Sequence, residues 1–157
     1  KTIKAGEVDT VIIAGMGGIL IKNILEESPD VLKDIKTLIL QPMNLQNELR
    51  HWLIENMFTI KDEELVMDNE RIYEIMVVVH GQQEQWNEIE LEISPRLLSK
   101  RDELLKPFVL EKIKRVESII DILKNQETQN AIKRRKECEK KLEQYKEVYQ
   151  WIVQWER

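Results

Sequence analysis

The hydrophobic pattern opens with Val8 to Ala14 (VDTVIIA), a short β-branched run that stops at Gly15-Met16-Gly17-Gly18; Ile19, Ile21, Ile24 and Leu25 then take up helical spacing. A strand, a tight turn and a helix are expected, the helix ending near Ser28-Pro29. Thr37 to Gln41 (TLILQ) is a continuous apolar run of the kind a parallel strand buried on both faces requires, and Pro42 ends it. Asn44 is placed to cap a second helix with an apolar stripe at Leu45, Leu49, Trp52 and Leu53. Phe58 to Met67 and Arg71 to Val79 read as two strands joined by the short polar turn Asp68-Asn69-Glu70, an antiparallel hairpin. Two β-α units and a hairpin make half of an open sheet, so further strands are expected ahead of Lys1.

Beyond Pro95 the periodicity changes. Val109, Ile113, Val116, Ile120 and Leu123 repeat at steps of four and three, as do Cys138, Leu142, Tyr145, Tyr149 and Ile152. The polar stretch Asn125 to Asn130 separates the two seams, which predicts an antiparallel α-helical coiled-coil hairpin in which each stripe buries the other. One continuous, dimerising helix is the alternative, because no Gly or Pro enforces the turn. The fold class is therefore α/β over residues 1–94, followed by a helical unit over 95–157.

Composition sharpens this division. With 42% hydrophobic and 34% charged residues in 157, the chain is globular in character. The net charge of -5 argues against a phosphate partner until it is divided: residues 1–95 hold 8 Lys+Arg against 18 Asp+Glu, whereas 96–157 hold 16 against 11. No apolar run reaches the roughly 18 residues that a membrane span needs, and Lys1 to Thr10 has no secretory core, so a cytoplasmic protein without a membrane partner is expected. Cys138 has no partner for a disulfide and suits a packing role.

Three features bear on chemistry. Ala14, Gly15, Met16, Gly17 and Gly18 follow a buried strand and open a helix, where glycines permit close backbone approach and free N–H groups meet a polar ligand; the pattern is neither GxGxxG nor a P-loop, and a structural turn accounts for it equally. Gln41, Pro42 and Asn44 occupy the corresponding place after the second strand, so both loops should open on one edge of the sheet; strand end and helix cap are the plainer account of Asn44. Lys133, Arg134, Arg135 and Lys136 form a basic patch suited to phosphates, or else the solvated flank of a coiled coil. His51 and His80 lie outside any metal-ligand spacing, so no metal site is expected, and no serine sits in a nucleophile elbow. The acidic residues Glu63, Glu64, Asp68, Glu70 and Glu74 read as solvated faces.

The segments VDTVIIAGMGGILIKNIL, LILQPMNLQNELRHWLIENMF and DEELVMDNERIYEIMVVV, in this order and spacing, closely resemble the bacterial tRNA (adenine(22)-N1)-methyltransferase family across about residues 4–95. The resemblance implies the C-terminal part of a Rossmann-like class I methyltransferase sheet, its strands 4–7, with S-adenosylmethionine as cofactor and tRNA as partner. It further implies that Ala14, Gly15, Met16, Gly17 and Gly18 face the cofactor. Gln41, Pro42, Asn44 and Tyr73 would face the base, and Lys133 to Lys136 would grip tRNA phosphates. The family's glycine-rich cofactor loop and its catalytic aspartate match no segment of this sequence, so the catalytic residue is unassigned and the chain by itself is expected to be inactive. A monomer is expected for the intact enzyme. Two other readings stay open: a non-enzymatic α/β and coiled-coil interaction protein, and a methyltransferase of another structured RNA.

Overall fold

The structure, a computed structural model, describes residues 3–155. The chain divides into two compact units, one running to Lys100 and the other starting at Arg101.

The first unit is built on β1 (Thr10–Met16), α1 (Gly18–Glu26), α2 (Pro29–Leu32), β2 (Thr37–Pro42), α3 (Gln46–Glu55), β3 (Phe58–Asp68), β4 (Arg71–His80), α4 (Glu88–Glu92) and α5 (Pro95–Lys100). The four strands form one mixed sheet in the order β1-β2-β4-β3. β1 and β2 are parallel, as a β-α-β crossover demands, while β4 returns antiparallel to both β2 and β3. Asn69 and Glu70 close the β3–β4 hairpin with positive φ of 46° and 64°, the conformation that two-residue hairpin turns need.

Alternation decides which side of the sheet is covered. Leu38 and Leu40 of β2 and Met76 and Val78 of β4 point to one face, where Ile21 and Leu25 of α1 and Leu49, Trp52 and Leu53 of α3 complete a core with Phe58 and Ile60. Ile12, Ile39 and Val77 are paired in register across β1, β2 and β4 on the opposite face. Ile12 remains 68% exposed there.

The alternation breaks in β3. Ile60 pairs with Val78 and Asp62 with Val77, so Lys61 is an extra residue in a β-bulge. A bulge exchanges the faces of all later residues, and burial accordingly passes from Phe58 and Ile60 to Glu63 and Leu65.

The second unit comprises α6 (Leu105–Leu123) and α7 (Gln129–Trp155), packed along each other as a hairpin. Val109, Ile113, Val116 and Ile120 are buried with Cys138, Tyr145 and Ile152, the seams that heptad spacing indicated. Lys146 of α7 pairs with Glu117 of α6 at 3.1 Å, and Arg101 lies 5.2 Å above the Trp155 ring. The helices are therefore folded back on each other, and the continuous-helix alternative does not occur.

Candidate functional site

At the carboxyl ends of the two parallel strands, the loops after β1 and β2 are fastened to each other. The ladder between these strands shifts between Ala14 and Met16, which leaves Gly15 as the irregular residue with φ +75°. Its N–H donates to Gln41 Oε1 at 2.8 Å. Met43 N–H donates to Met16 O at 2.8 Å, and Gly18 N–H to Asn44 O at 3.0 Å. The glycine loop and the Gln-Pro-Met-Asn loop thus form one surface, as their matching positions after two parallel strands predict.

The glycines serve different ends. A Cβ on Gly18 would stand 2.5 Å from Leu45 O and 2.9 Å from Asn44 O, both backbone atoms, while one on Gly17 would meet Asn44 Oδ1 at 2.9 Å. These two residues lack side chains so that the loops can touch. A Cβ on Gly15 would have nothing within 4 Å, which leaves open space on its side of the loop. Gly17 precedes α1 without a side-chain cap, so N–H groups of the first turn have no side chain bonded to them.

Asn44 does not cap α3 as the sequence suggested. Leu45 holds the cap position with φ +50°, and no side chain bonds the helix start. A left-handed Leu is strained by about 1–2 kcal/mol, and that strain is held by the bonds binding this turn to the glycine loop. Gln46 Nε2 adds a bond to Pro42 O at 3.3 Å. Residues 10–21 and 37–47 contain no Asp, Glu, His, Lys or Arg, so the paired loops offer amides, thioethers and backbone N–H groups but no acid, base or charge.

Tyr73 is half-buried on β4 opposite Val66 of β3. Pairing between β2 and β4 ends at Leu40 and Met76, so Tyr73 lies on the part of the hairpin that continues past β2 at the same edge as the two loops. Lys133, Arg134, Arg135 and Lys136 lie in the second unit, on the N-terminal half of α7. Arg134 pairs with Glu137 at 3.4 Å and Arg135 with Glu139 at 3.7 Å; all four basic side chains are exposed or half-exposed.

The reading of Glu63 and Glu74 as solvated residues is overturned. Both are buried around the fully buried Arg50 of α3, whose Nη2 donates to Glu63 Oε1 at 2.8 Å and to Glu74 Oε2 at 2.5 Å, while Nη1 donates to Leu91 O at 2.8 Å. Burial pushes the Glu63 carboxyl above its usual range, against the pull of Arg50. Strict alternation from Phe58 would turn Glu63 outward, and the bulge at Lys61 reverses it.

His80 Nε2 lies 2.8 Å from Leu32 O with its ring 4.8 Å from Phe58, and His51 is 3.3 Å from Glu55. Among the described residues no three His, Cys, Asp or Glu side chains could hold a metal ion, and no helix is long and apolar enough to cross a membrane.

Residues 1–147 match the family described as TrmK, tRNA (adenine(22)-N(1))-methyltransferase. The chain is 40% identical over 81 residues to the tRNA (adenine(22)-N(1))-methyltransferase of Bacillus subtilis strain 168, covering 52% of this chain and 34% of that one. A protein of the NADB-Rossmann superfamily from Streptococcus agalactiae superposes with a TM-score of 0.79 at 35% identity, over 90% of this chain and 60% of that chain. Streptococcus pneumoniae Sp1610, solved in complex with S-adenosyl-L-methionine, superposes with a TM-score of 0.77 at 30% identity, over 91% and 61% of the two chains. The chain spans about a third of the curated relative and about three fifths of these solved chains. The fold is Rossmann-like, and the sheet order β1-β2-β4-β3 accommodates the expected strands 4, 5, 7 and 6.

Proposed function

Since the chain belongs to the tRNA (adenine(22)-N(1))-methyltransferase family, we propose that it forms the base-facing part of an enzyme that moves a methyl group from S-adenosylmethionine to N1 of adenine 22 in tRNA. The observation that carries this reading is the fastening of the Gly15–Gly18 loop to the Gln41–Asn44 loop at the carboxyl edge of β1 and β2, where sheets of this kind receive ligands.

These residues fit such a ligand. Gly15 leaves an open side, and the start of α1 offers N–H groups uncapped by a side chain. Ala14, Gly15, Met16, Gly17 and Gly18 would line the cofactor, with Gln41, Pro42, Asn44 and, further along the edge, Tyr73 towards the adenine. When bound, S-adenosylmethionine would supply the electrophilic methyl group for N1. The two loops would orient the base towards the cofactor and carry no group able to take up a proton, so their contribution is alignment. N1 lies on the Watson–Crick edge, so the adenine must be unpaired and turned out of its stack to reach them.

In this reading the α/β unit, residues 1–94, positions the cofactor and the base, and the helical unit, residues 95–157, holds the tRNA body through Lys133, Arg134, Arg135 and Lys136. The enzyme would act as a monomer in the cytoplasm.

The deciding experiment is methyl transfer from labelled S-adenosylmethionine to unmodified tRNA by the gene's full-length product. Label at N1 of adenine 22 is the expected result. An inert product that binds a helical protein would support the interaction-protein reading in its place.

A further inference from the structure

Met43 is exposed in an unusual way. The residue is 44% accessible, yet Gln41 Nε2 lies 3.5 Å from its sulfur and 3.5 Å from Pro42 O. The other end of the same amide is engaged as well, because Gln41 Oε1 receives the Gly15 N–H at 2.8 Å. Gln41 therefore links the irregular glycine of one loop to the thioether of the other. Met16 stands beside this arrangement, 39% exposed, its carbonyl bonded to the Met43 N–H at 2.8 Å. Met43 and Met16 are each partly exposed although Met76 of the same unit is fully buried in the core.

The chemistry of these loops narrows what lies on that surface. Residues 10–21 and 37–47 contain no charge, which disfavours a phosphate, and no Phe, Tyr or Trp, so they have no aromatic ring on which a base could stack. Within the loops the group suited to a flat, neutral heteroaromatic ring is the polarisable Met43 sulfur, edged by the Gln41 amide.

We propose that Met43 is the platform on which the target adenine rests, and that Gln41 is a positioning residue which fixes the Met43 thioether. The proposal rests on the methyltransferase reading and adds to it the residue that receives the base. A thioether platform holds a base through dispersion and sulfur–ring attraction without reading its edge, so it favours any unstacked base, and N1 selectivity falls to the amides around it.

The test uses the full-length product with methyl-labelled methionine. In wild type, the Met43 methyl resonance should move upfield when tRNA is added, through the ring current of the base above it, and should move less in Gln41→Ala. Met43→Ala should lower kcat/KM for tRNA about tenfold, the scale of one sulfur–ring interaction, with the dissociation constant of S-adenosylmethionine unchanged. Met43→Leu should recover part of that activity. A wild-type enzyme that methylates tRNA while the Met43 resonance stays still, or a Met43→Ala variant that weakens only cofactor binding, overturns the platform and leaves the methyltransferase reading intact. A wild-type protein that transfers no methyl group removes both.

Discussion

The guanidinium of Arg50 donates through Nε and Nη2 to Glu63 Oε1, at 3.0 and 2.8 Å, with neither side chain exposed to solvent. This pair fixes α3 against β3, and α3 begins directly after the Gln41–Asn44 loop, so the position of the candidate site depends on it. Replacing Arg50 with Met keeps much of the volume but leaves Glu63 and Glu74 buried without their shared cation. The expected cost is about 3–5 kcal/mol, since an unpaired buried charge is far costlier than the pair is favourable. Urea unfolding measures it; a loss below about 1 kcal/mol would show that the cluster contributes little to holding α3.

Glu63 adds a pH dependence. Its carboxyl titrates above the ordinary 4.5, chiefly because it is buried. Above pH 4.5 the folded state keeps a proton that the unfolded chain releases, so the native state binds more protons and unfolding free energy falls as pH rises, until Glu63 ionises within the fold. Glu63→Gln is neutral throughout and lacks this slope. Urea unfolding at stepped pH should therefore show wild type losing stability relative to Glu63→Gln as pH rises above 4.5; parallel curves would refute the assignment.

The part of the site built by local rules was legible in the sequence. Strand, glycine turn and helix at Val8–Leu25, followed by a second strand ending at Pro42, place two loops on one edge by the geometry of parallel strands alone, and the structure puts them there. The hairpin turn at Asn69-Glu70 and the two heptad seams were readable for the same reason. What escaped depends on residues distant in sequence or on a broken period. The bulge at Lys61 turns Glu63 inward, and no pattern announces it. Arg50 looks like a surface residue on an amphipathic helix until Glu63 and Glu74 are brought to it from 13 and 24 residues away. Asn44 has the ideal chemistry for a cap, but its carbonyl binds Gly18 and its side chain faces Gly17, so the cap position passes to Leu45.

The two neighbouring glycines should respond differently to the same substitution. Gly18→Ala forces a methyl group against the backbone carbonyls of Asn44 and Leu45, which cannot move without unfastening the loops. A loss of about 1–3 kcal/mol is expected. Gly17→Ala meets only the Asn44 side-chain amide, which is free to rotate, and should cost less than half as much. Thermal or urea unfolding of the two variants in parallel gives the ranking, and the reverse order would mean that Asn44 is the less yielding neighbour.

On α7, Arg134 and Arg135 already face Glu137 and Glu139, whereas Lys133 and Lys136 have no ion-pair partner among the described residues. If the patch meets tRNA phosphates, Lys133→Gln with Lys136→Gln should weaken binding and reduce the slope of log affinity against log salt by about 1 for each phosphate left without its lysine. Methyl transfer at saturating tRNA should be nearly unchanged. A binding slope unaltered by the double substitution would assign these lysines to a solvated flank of the hairpin.

The uncovered face of the sheet should make the chain self-associate. Ile12, Ile39 and Val77 form an apolar row across three strands, and Ile12, on the edge strand β1, is 68% exposed. An edge strand with an apolar face is a template for pairing with another copy. A Lys at position 12 would point into solvent, so Ile12→Lys should leave unfolding free energy within about 0.5 kcal/mol of the parent while opposing edge-to-edge association through charge. Light scattering of the 157-residue chain against concentration separates the possibilities. Less association at equal stability identifies this row as the sticky surface, whereas a large loss of stability would show that Ile12 packs against something in solution that its exposure conceals.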